Sequence, residues 1–324
     1  MSRPEVPLRR LGADEIREAI DVFWASQDEL YIRKGQPLLP RSEPSPMREL
    51  FTQYVSEDPD RCWGSWGLPS EAGARPRLEG FGLAMQRGLS WFLGFLFVHP
   101  DAQGRGVGRR LLRACLFADP SGVVSDAAPT LRSTCVDSIQ PVSAGLYAQY
   151  GMAPRLPIFT MLGPTDGAQL GALSGNLTAL PMADLVASDG HEQLVRIVEE
   201  LDLAILGYAH PQEHRHWRQR GREGILYREA AFGRAVGYGY AASSGRLGPV
   251  AVLDPGLLPA LVGDLLARHR PAGSWQILVP GVADTMLAPL LSAGFRFEGT
   301  PALYMSSGPA IDFARYLPGS FGLL

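Results

Sequence analysis

Lysine and cysteine are the scarcest reactive residues of this sequence. Lysine occurs once, as Lys34. The chain therefore lacks the GxxxxGK[ST] pattern of the P-loop, whose lysine contacts nucleotide phosphates. The three cysteines, Cys62, Cys115 and Cys135, show no CxxC spacing. We expect buried free thiols in a reducing compartment rather than a disulfide framework.

Long apolar runs are also missing. No run approaches the roughly 18 residues of a membrane-spanning helix, and the N-terminal MSRPEVPLRR has no apolar core of a signal peptide. The net charge of −3 and the pI near 6.1 argue against a nucleic-acid partner. The sequence predicts a cytoplasmic globular protein that binds neither membranes nor nucleic acid, and it is compatible with a homodimer.

The length of 324 residues suggests two domains of about 150 residues each. The segment GPTDGAQLGALSGN at 163–176 is rich in glycine and polar residues and separates two stretches of similar length. We expect domains at 1–163 and 176–324, joined by a linker at 164–175.

The two stretches repeat one pattern, in which a helix end is followed by a glycine and a strand with Pro-x-x-x-Met. The matching positions are Gly151 and Gly294, Pro157 and Pro301, and Met161 and Met305. Two copies of one unit are therefore expected. In the first copy, periodicity predicts strands near 5–10, 61–67, 78–86, 90–98, 130–136 and 156–162, and helices near 13–25, 46–57, 105–118 and 141–150. Strands that alternate with helices in the middle and pair directly at the ends indicate an α/β class with a mixed sheet.

A glycine-rich loop follows the predicted strand that ends at Val98. Pro100 ends the strand, QGRGVG follows at 103–108, and a leucine-rich helix comes next. A helix N-terminus carries unpaired N–H groups and a partial positive charge, and glycine lets an anion approach the backbone closely. The loop therefore predicts a site for phosphate or pyrophosphate. It lacks the G-x-G-x-x-G spacing of dinucleotide-binding loops.

The order V-x-P-x-x-Q-G-R-G-V-G-x-x-L-L resembles the acetyl-coenzyme A signature of the GCN5-related N-acetyltransferase (GNAT) superfamily. The resemblance implies two tandem domains, each with a twisted, mainly antiparallel sheet flanked by helices. It implies that the pyrophosphate of acetyl-CoA, the co-substrate, binds at Gln103, Gly104, Arg105, Gly106, Val107, Gly108 and Arg109. It further implies that the strand ending at Val98 splays from its neighbour, so that pantetheine pairs with the backbone of Phe97 and Val98.

A second segment, SIQPVSAGLYAQYGM at 138–152, resembles the family segment N-x-x-A-x-x-L-Y-x-x-x-G-F. Tyr147 is found where the family has its general acid, and a phenol is protonated at neutral pH and can protonate a departing thiolate. Gln140 stands where the family usually has asparagine, and we include it among the expected cofactor-binding residues. Met152 stands where the family has phenylalanine. Glu79 and Glu49 are candidates for the base, acting directly or through water, although a solvated surface carboxylate is the favoured interpretation of each.

The second half lacks these features. LGPVAVLD is followed by PGLLPALVGDLLARH, without QxxGxG, and Leu290 stands at the position of Tyr147. The second copy is therefore predicted to be degenerate. Its His210, Glu213 and His214 spell H-x-x-E-H, an inverted zinc-protease pattern. Because Pro211 interrupts that pattern, a polar solvent-exposed face is favoured over acceptor contacts or a metal site, and no metal is expected.

The sequence thus predicts an acetyl-CoA-dependent N-acetyltransferase that acetylates an amine of a small molecule or peptide in its N-terminal domain. A non-catalytic acetyl-CoA-binding or regulatory protein is the alternative. Transfer of a longer acyl group also stays open.

Overall fold

A computed structural model describes residues 7–41, 45–67, 75–118, 131–165, 170–309 and 311–324. The chain forms two compact units. Unit 1 comprises Met1–Cys135 and Ile139–Met152, and unit 2 comprises Val136–Ser138 and Ala153–Leu324. No helix of the described ranges is long and apolar enough to cross a membrane.

Unit 1 contains one sheet flanked by four described helices. Its strands are β1 (Leu8–Arg10), β2 (Cys62–Trp66), β3 (Leu78–Arg87), β4 (Ser90–Val98) and β5 (Leu131–Asp137). Its helices are α1 (Ile16–Arg33), α2 (Pro46–Glu57), α3 (Val107–Phe117) and α4 (Pro141–Ala148). The strands lie in sequence order and pair antiparallel, except that β4 and β5 are parallel. The predicted mixed α/β class is confirmed.

The two faces of this sheet are packed differently. Gly80 and Gly82 face α3, and the approach is so close that a Cβ at Gly82 would lie 2.6 Å from Cys115 Sγ. Phe81, between them, points to the opposite face because successive strand residues alternate. There it packs 5.2 Å from the ring of Phe51 on α2. Small residues therefore seat α3 on one face, while aromatic rings fill the other.

Unit 2 has a similar order of elements, with additional strands and one additional helix. Its strands are β6 (Ala153–Gly163), β7 (Leu177–Pro181), β8 (Arg222–Glu229), β9 (Ala235–Ala242), β10 (Arg246–Val252), β11 (Trp275–Pro280), β12 (Arg296–Ser306) and β13 (Tyr316–Leu317). Its helices are α5 (Met182–Asp189), α6 (His191–Ile205), α7 (Pro211–Gln219), α8 (Leu258–Arg268) and α9 (Asp284–Ser292). The strand order is β12-β6-β11-β10-β9-β8-β7, and β13 pairs with β10.

The internal repeat has a structural counterpart at the end of α4 and of α9. Gly151 follows α4 with φ +84°, and Gly294 follows α9 with φ +85°. Both glycines adopt the left-handed conformation that ends a helix and that a Cβ disfavours. Met161 and Met305, the matched methionines, are both fully buried.

Strand β6 departs from the sequence-based domain limits, which place residues up to 163 in the first domain. β6 pairs with β11 along one edge and with β12 along the other, so it is a central strand of the unit 2 sheet. The compact units therefore divide at Met152 and Ala153. The partners of a strand depend on residues far away in the sequence, so a glycine-rich segment does not by itself show to which unit the preceding strand belongs.

Candidate functional site

Strands β4 and β5 of unit 1 pair over only part of their lengths. The ladder runs from Ser90↔Leu131 to Leu93↔Thr134, and the hydroxyl of Thr134 donates to the carbonyl of Leu93 at 2.8 Å. On its other edge, β4 stays paired with β3 as far as Val98. The register of β3 and β4 shifts at Gly94, which is an extra residue of β4 that forms a bulge. This bulge lies where the ladder with β5 ends. Beyond that bulge, no strand in the described ranges pairs with the β5-side edge of β4.

The register of β3 and β4 decides which backbone groups face this open edge. The amide of His99 donates to the carbonyl of Glu79 at 2.7 Å, and the carbonyl of Phe97 lies against Gly80 of β3. Since backbone groups alternate along an antiparallel strand, Leu96 and Val98 point to the opening and Phe97 points to β3. The backbone of Phe97, where a pantetheine contact was expected, therefore faces β3 in this register, and the backbone of Leu96 faces the opening.

The loop after β4 ends as a helix N-terminus. Residues Pro100–Ala102 form a single 3₁₀ turn, and α3 begins at Val107, two residues later than the sequence predicted. Gly104 has φ +73° and Gly106, the N-cap residue, has φ +78°, values that favour glycine strongly. Gly108 is helical, and a Cβ there would make only an ordinary contact, 3.6 Å from Val98 Cγ2.

The first turn of α3 supplies the donors of this loop. The first intrahelical hydrogen bond joins the amide of Arg110 to the carbonyl of Gly106, at 3.2 Å. The amides of Val107, Gly108 and Arg109 precede it, so the helix itself offers them no acceptor. Together with the positive end of the helix dipole, they form an anion cradle.

Side chains of the loop hold it in shape. Arg105 donates to the carbonyl of Asp101 at 2.8 Å and pairs with the carboxylate of Glu79 at 3.2 Å. Arg109 donates to the side-chain oxygen of Gln149 at 2.6 Å. The side chain of Gln103 donates to the carbonyl of Val98 at 3.0 Å. Gln103 thus fixes the loop to the end of β4, while the two guanidinium groups keep positive charge beside the cradle.

Tyr147 lies on α4 with 5% of its surface exposed. Burial raises the pKa of its phenol, although a hydrogen bond with Ser143, one turn earlier, acts in the opposite direction. The hydroxyl is therefore protonated at neutral pH. It is near enough to Cys115 of α3 for the two groups to interact electrostatically. Sequence reasoning did not single out Ser143, whose spacing of four residues before Tyr147 was the available signal.

The other predicted site residues take distinct positions. Gln140 is the N-cap residue of α4, and its side-chain oxygen is buried without a donor among the described residues. Glu79 is paired with Arg105 at the cradle end of β4. Glu49 lies exposed on α2. Glu79 lies opposite His99, beyond the end of β4, and not at the bulge at Gly94.

The equivalent edge of unit 2 is covered by the chain itself. Strand β10 pairs with β11 only at Arg246 and Leu247. Beyond that point Val250 and Ala251 pair with Leu317 and Tyr316 of β13. β13 therefore occupies the edge that is open on β4.

The cradle is also missing from the corresponding loop of unit 2. There the 3₁₀ turn Pro255–Leu257 runs directly into α8 at Leu258, without the four residues that carry two left-handed glycines in unit 1. Leu290, at the position of Tyr147, is fully buried. Unit 2 keeps the frame but has neither the cradle nor the phenol.

The H-x-x-E-H segment is not the solvent-exposed face that we predicted. His210, Glu213 and His214 are exposed by 0%, 1% and 2%. α7 begins at Pro211, so His210 lies at its N-cap rather than inside the helix. The amphipathic helix turns these polar residues inward because an acidic residue and tyrosines of unit 2 are there to receive them.

Two parallel strands that separate beside a glycine-capped helix N-terminus form the arrangement that the resemblance in sequence implied. Residues 72–151 match the family model described as "Acetyltransferase (GNAT) domain". This region of unit 1 is therefore similar to GNAT acetyltransferase domains. No curated protein matches the sequence.

Solved structures share this architecture over nearly the whole chain. A protein described as an acetyltransferase from Pyrococcus horikoshii has a TM-score of 0.72 at 14% identity, covering 100% of this chain and 98% of its own. A GCN5-related N-acetyltransferase from Sphaerobacter thermophilus has a TM-score of 0.61 at 17% identity, covering 94% and 97%. A tandem GNAT protein from the clavulanic acid biosynthesis pathway has a TM-score of 0.56 at 16% identity, covering 94% and 100%. At these identities the likeness concerns the fold.

Proposed function

We propose that the protein is an N-acetyltransferase that uses acetyl-CoA, with the donor bound in unit 1. The observation that carries the proposal is the open edge of β4, which leads directly into the anion cradle at the start of α3. Neither feature has a counterpart in the described residues of unit 2. Acetyl-CoA combines a pyrophosphate with an extended amide chain, which matches this pair of features.

The donor has a defined direction in this site. The amides of Val107, Gly108 and Arg109 bind the pyrophosphate, and Arg105 and Arg109 add positive charge. Pantetheine extends along β4, where the backbone of Leu96 faces it. From Val98 back to Gly94 the strand spans about 13 Å, which places the thioester beside the bulge.

The chemistry at that point is acyl transfer. An acceptor amine attacks the thioester carbonyl, the C–N bond forms, the C–S bond breaks, and the nitrogen releases a proton to water. Tyr147 donates its proton to the departing thiolate, since burial keeps the phenol protonated. Glu79 lies at the cradle end of the strand, so its position favours a role in holding Arg105 over a role as the base.

The aromatic rings beneath β4 favour a short acyl group. Phe95 packs 4.8 Å from Phe51, and Phe97 packs 4.8 Å from Phe23, measured between ring centroids. These side chains fill the face of the sheet opposite α3. Because a longer acyl chain would have to displace them, acetyl is the preferred group over the longer chains that the sequence left open.

The remaining assignments are parts of the same proposal. The acceptor is an amine of a small molecule or a peptide, and unit 2 has a structural role. A cytoplasmic location and a homodimer stay predictions.

The proposal is tested by release of coenzyme A. The full chain is mixed with acetyl-CoA and a panel of primary amines, and the freed thiol is followed with a colorimetric thiol reagent. Amine-dependent thiol release is the expected result. If acetyl-CoA raises the melting temperature but no amine gives turnover, the protein is a binding module. If acetyl-CoA neither binds nor raises the melting temperature, the proposal fails.

A further inference from the structure

A buried cluster in unit 2 joins two imidazoles and a carboxylate. Asp202 lies on α6, His210 precedes α7 and His214 lies within it. Exposures are 0%, 0% and 2%. One ligand atom from each residue lies within 4.8 Å of the other two.

The distances in this cluster match a metal site. Nε2 of His214 is 3.1 Å from Oδ2 of Asp202, and Nε2 of His210 is 3.6 Å from the same oxygen. Ligands at 2.0–2.2 Å from a tetrahedral Zn²⁺ ion are separated by about 3.3–3.5 Å. The two measured separations lie on either side of that value.

The backbone of His210 is already held at this carboxylate, because its amide donates to Oδ2 of Asp202 at 3.4 Å. Its side chain comes close as well: Nε2 lies 3.6 Å from the same oxygen, and the two imidazole centroids are 4.8 Å apart with their planes within 19°. A cation between the three groups would attract all of them. It would add to the hydrogen bonds from Tyr238, His214 and the His210 amide that already stabilise the buried carboxylate.

Two of the three proposed ligand residues are held in position by hydrogen bonds to neighbouring tyrosines, as metal ligands usually are. Nδ1 of His214 is 2.8 Å from the hydroxyl of Tyr240. The hydroxyl of Tyr238 donates to Oδ1 of Asp202 at 2.7 Å. These contacts leave Nε2 and Oδ2 as the atoms that converge, which is the arrangement of a ligand shell supported by a second layer.

We propose that Asp202, His210 and His214 bind one Zn²⁺ ion that stabilises unit 2. Two nitrogens and one oxygen suit Zn²⁺. Because all three residues are buried, the ion joins α6 to α7 and does not act on a substrate. The site differs from the H-x-x-E-H protease pattern, since Asp202 replaces the glutamate in the cluster and His210 lies outside the helix. It also replaces the expectation of a metal-free protein.

The test measures the metal that the full chain retains. The protein is produced without a polyhistidine tag in zinc-supplemented medium, washed with EDTA in the native state, and analysed by mass spectrometry for metals. We expect about one Zn²⁺ per chain, held against EDTA because the site is buried and released when guanidinium unfolds the protein. Growth with Co²⁺ in place of zinc should give the strong visible absorption bands of tetrahedral cobalt.

A matched pair of variants assigns the metal to this cluster. His210→Asn should lose the ion, whereas His191→Asn, on the exposed start of α6, should keep it. If His210→Asn does not fold, the wild-type protein still decides the matter. A wild-type zinc content below about 0.1 per chain with no cobalt bands would overturn the proposal, and so would full retention of zinc by a folded His210→Asn variant.

Discussion

The two units share an order of elements but differ along one edge of one strand. In unit 1, the edge of β4 beyond Leu93 is open and leads to a cradle with two left-handed glycines. In unit 2, the same edge of β10 is paired with β13, and the helix follows its 3₁₀ turn without a loop. The same strand pair can therefore leave an edge open or be part of a closed sheet, depending on whether the chain supplies a third strand.

The difference between the units comprises two features that occur together, the loop before the helix and the covering of the strand edge. An open edge of apolar strand residues is a liability unless a ligand or a strand covers it. Unit 2 has no cradle before α8, and its corresponding strand edge is covered by β13. The roles of the cradle in unit 1 and of β13 in unit 2 can each be tested by mutation.

The largest effect is expected from removing residues 311–324. This segment contains buried apolar side chains: Ile311, Phe313, Tyr316, Leu317, Leu323 and Leu324. Their exposure should reduce the free energy of unfolding by more than about 5 kcal/mol, measured by denaturant unfolding. The milder variant Leu317→Ala should cost about 2–4 kcal/mol. Neither variant should bind a second coenzyme A, because the cradle is still missing. Unchanged stability, or a second bound coenzyme A, would contradict the comparison.

Tyr147→Phe should slow turnover about 100-fold, with the affinity for acetyl-CoA unchanged, because the variant loses the proton donor and keeps the cradle. Tyr150→Phe, three residues later and partly exposed, is the matched control and should keep its activity. Steady-state kinetics with a responsive amine measures both. Equal activity of the two variants would show that Tyr147 is not the general acid.

The pH dependence follows from the direction of the same pKa shift. An acid acts while it is protonated, and burial raises the pKa of Tyr147 above the usual 10.0 of a tyrosine. Deprotonation of this group should therefore cause no loss of turnover between about pH 7 and the ordinary tyrosine range. A decline in turnover within that range that Tyr147→Phe abolishes would show that the pKa is not raised.

Gly106→Val should weaken coenzyme A binding by at least about tenfold, since a β-branched residue is strained at φ +78° by about 1–2 kcal/mol and distorts the cradle. Gly88→Val, in the β3–β4 turn at φ +55° with open space around its Cβ, is the matched control. It should lower the melting temperature similarly and leave binding unchanged. Equal binding by both variants, measured by calorimetry, would mean that the cradle does not hold the ligand.

Glu79→Gln should have the smallest effect, less than about threefold on the affinity for acetyl-CoA and on the turnover rate. Arg105 would lose one half-exposed ion pair, of the kind that contributes little, and would keep its hydrogen bond to the carbonyl of Asp101. If turnover instead slowed by about 100-fold or more, Glu79 would be the general base and the direction assigned to the donor would be reversed.

Local patterns predicted much of the fold and of the cradle. The glycines at 104 and 106 have the positive φ values that their spacing suggested, and Pro100 leaves the sheet after Val98. Gly151 and Gly294 end equivalent helices, as the repeat predicted. These features were accessible because each depends on a few neighbouring residues and on the special conformations of glycine and proline.

Features that depend on distant partners were not accessible. A change of one residue in strand register exchanges the two faces and the two edges, so Phe97 was chosen in place of Leu96. The pairing of β6 within unit 2 and of β13 with β10 depends on residues far apart in the sequence. The burial of His210 and His214 likewise depends on Asp202 and Tyr240, which no short motif includes.

The central claim, that unit 1 alone binds the acyl donor, is tested most directly by hydrogen–deuterium exchange of the full chain with and without coenzyme A. The account predicts slower exchange of amides at 94–110, where the backbone of β4 and the start of α3 face the ligand. It predicts unchanged exchange at 246–262. Protection of β10 and α8, or no protection of β4 and α3 under saturating coenzyme A, would contradict it.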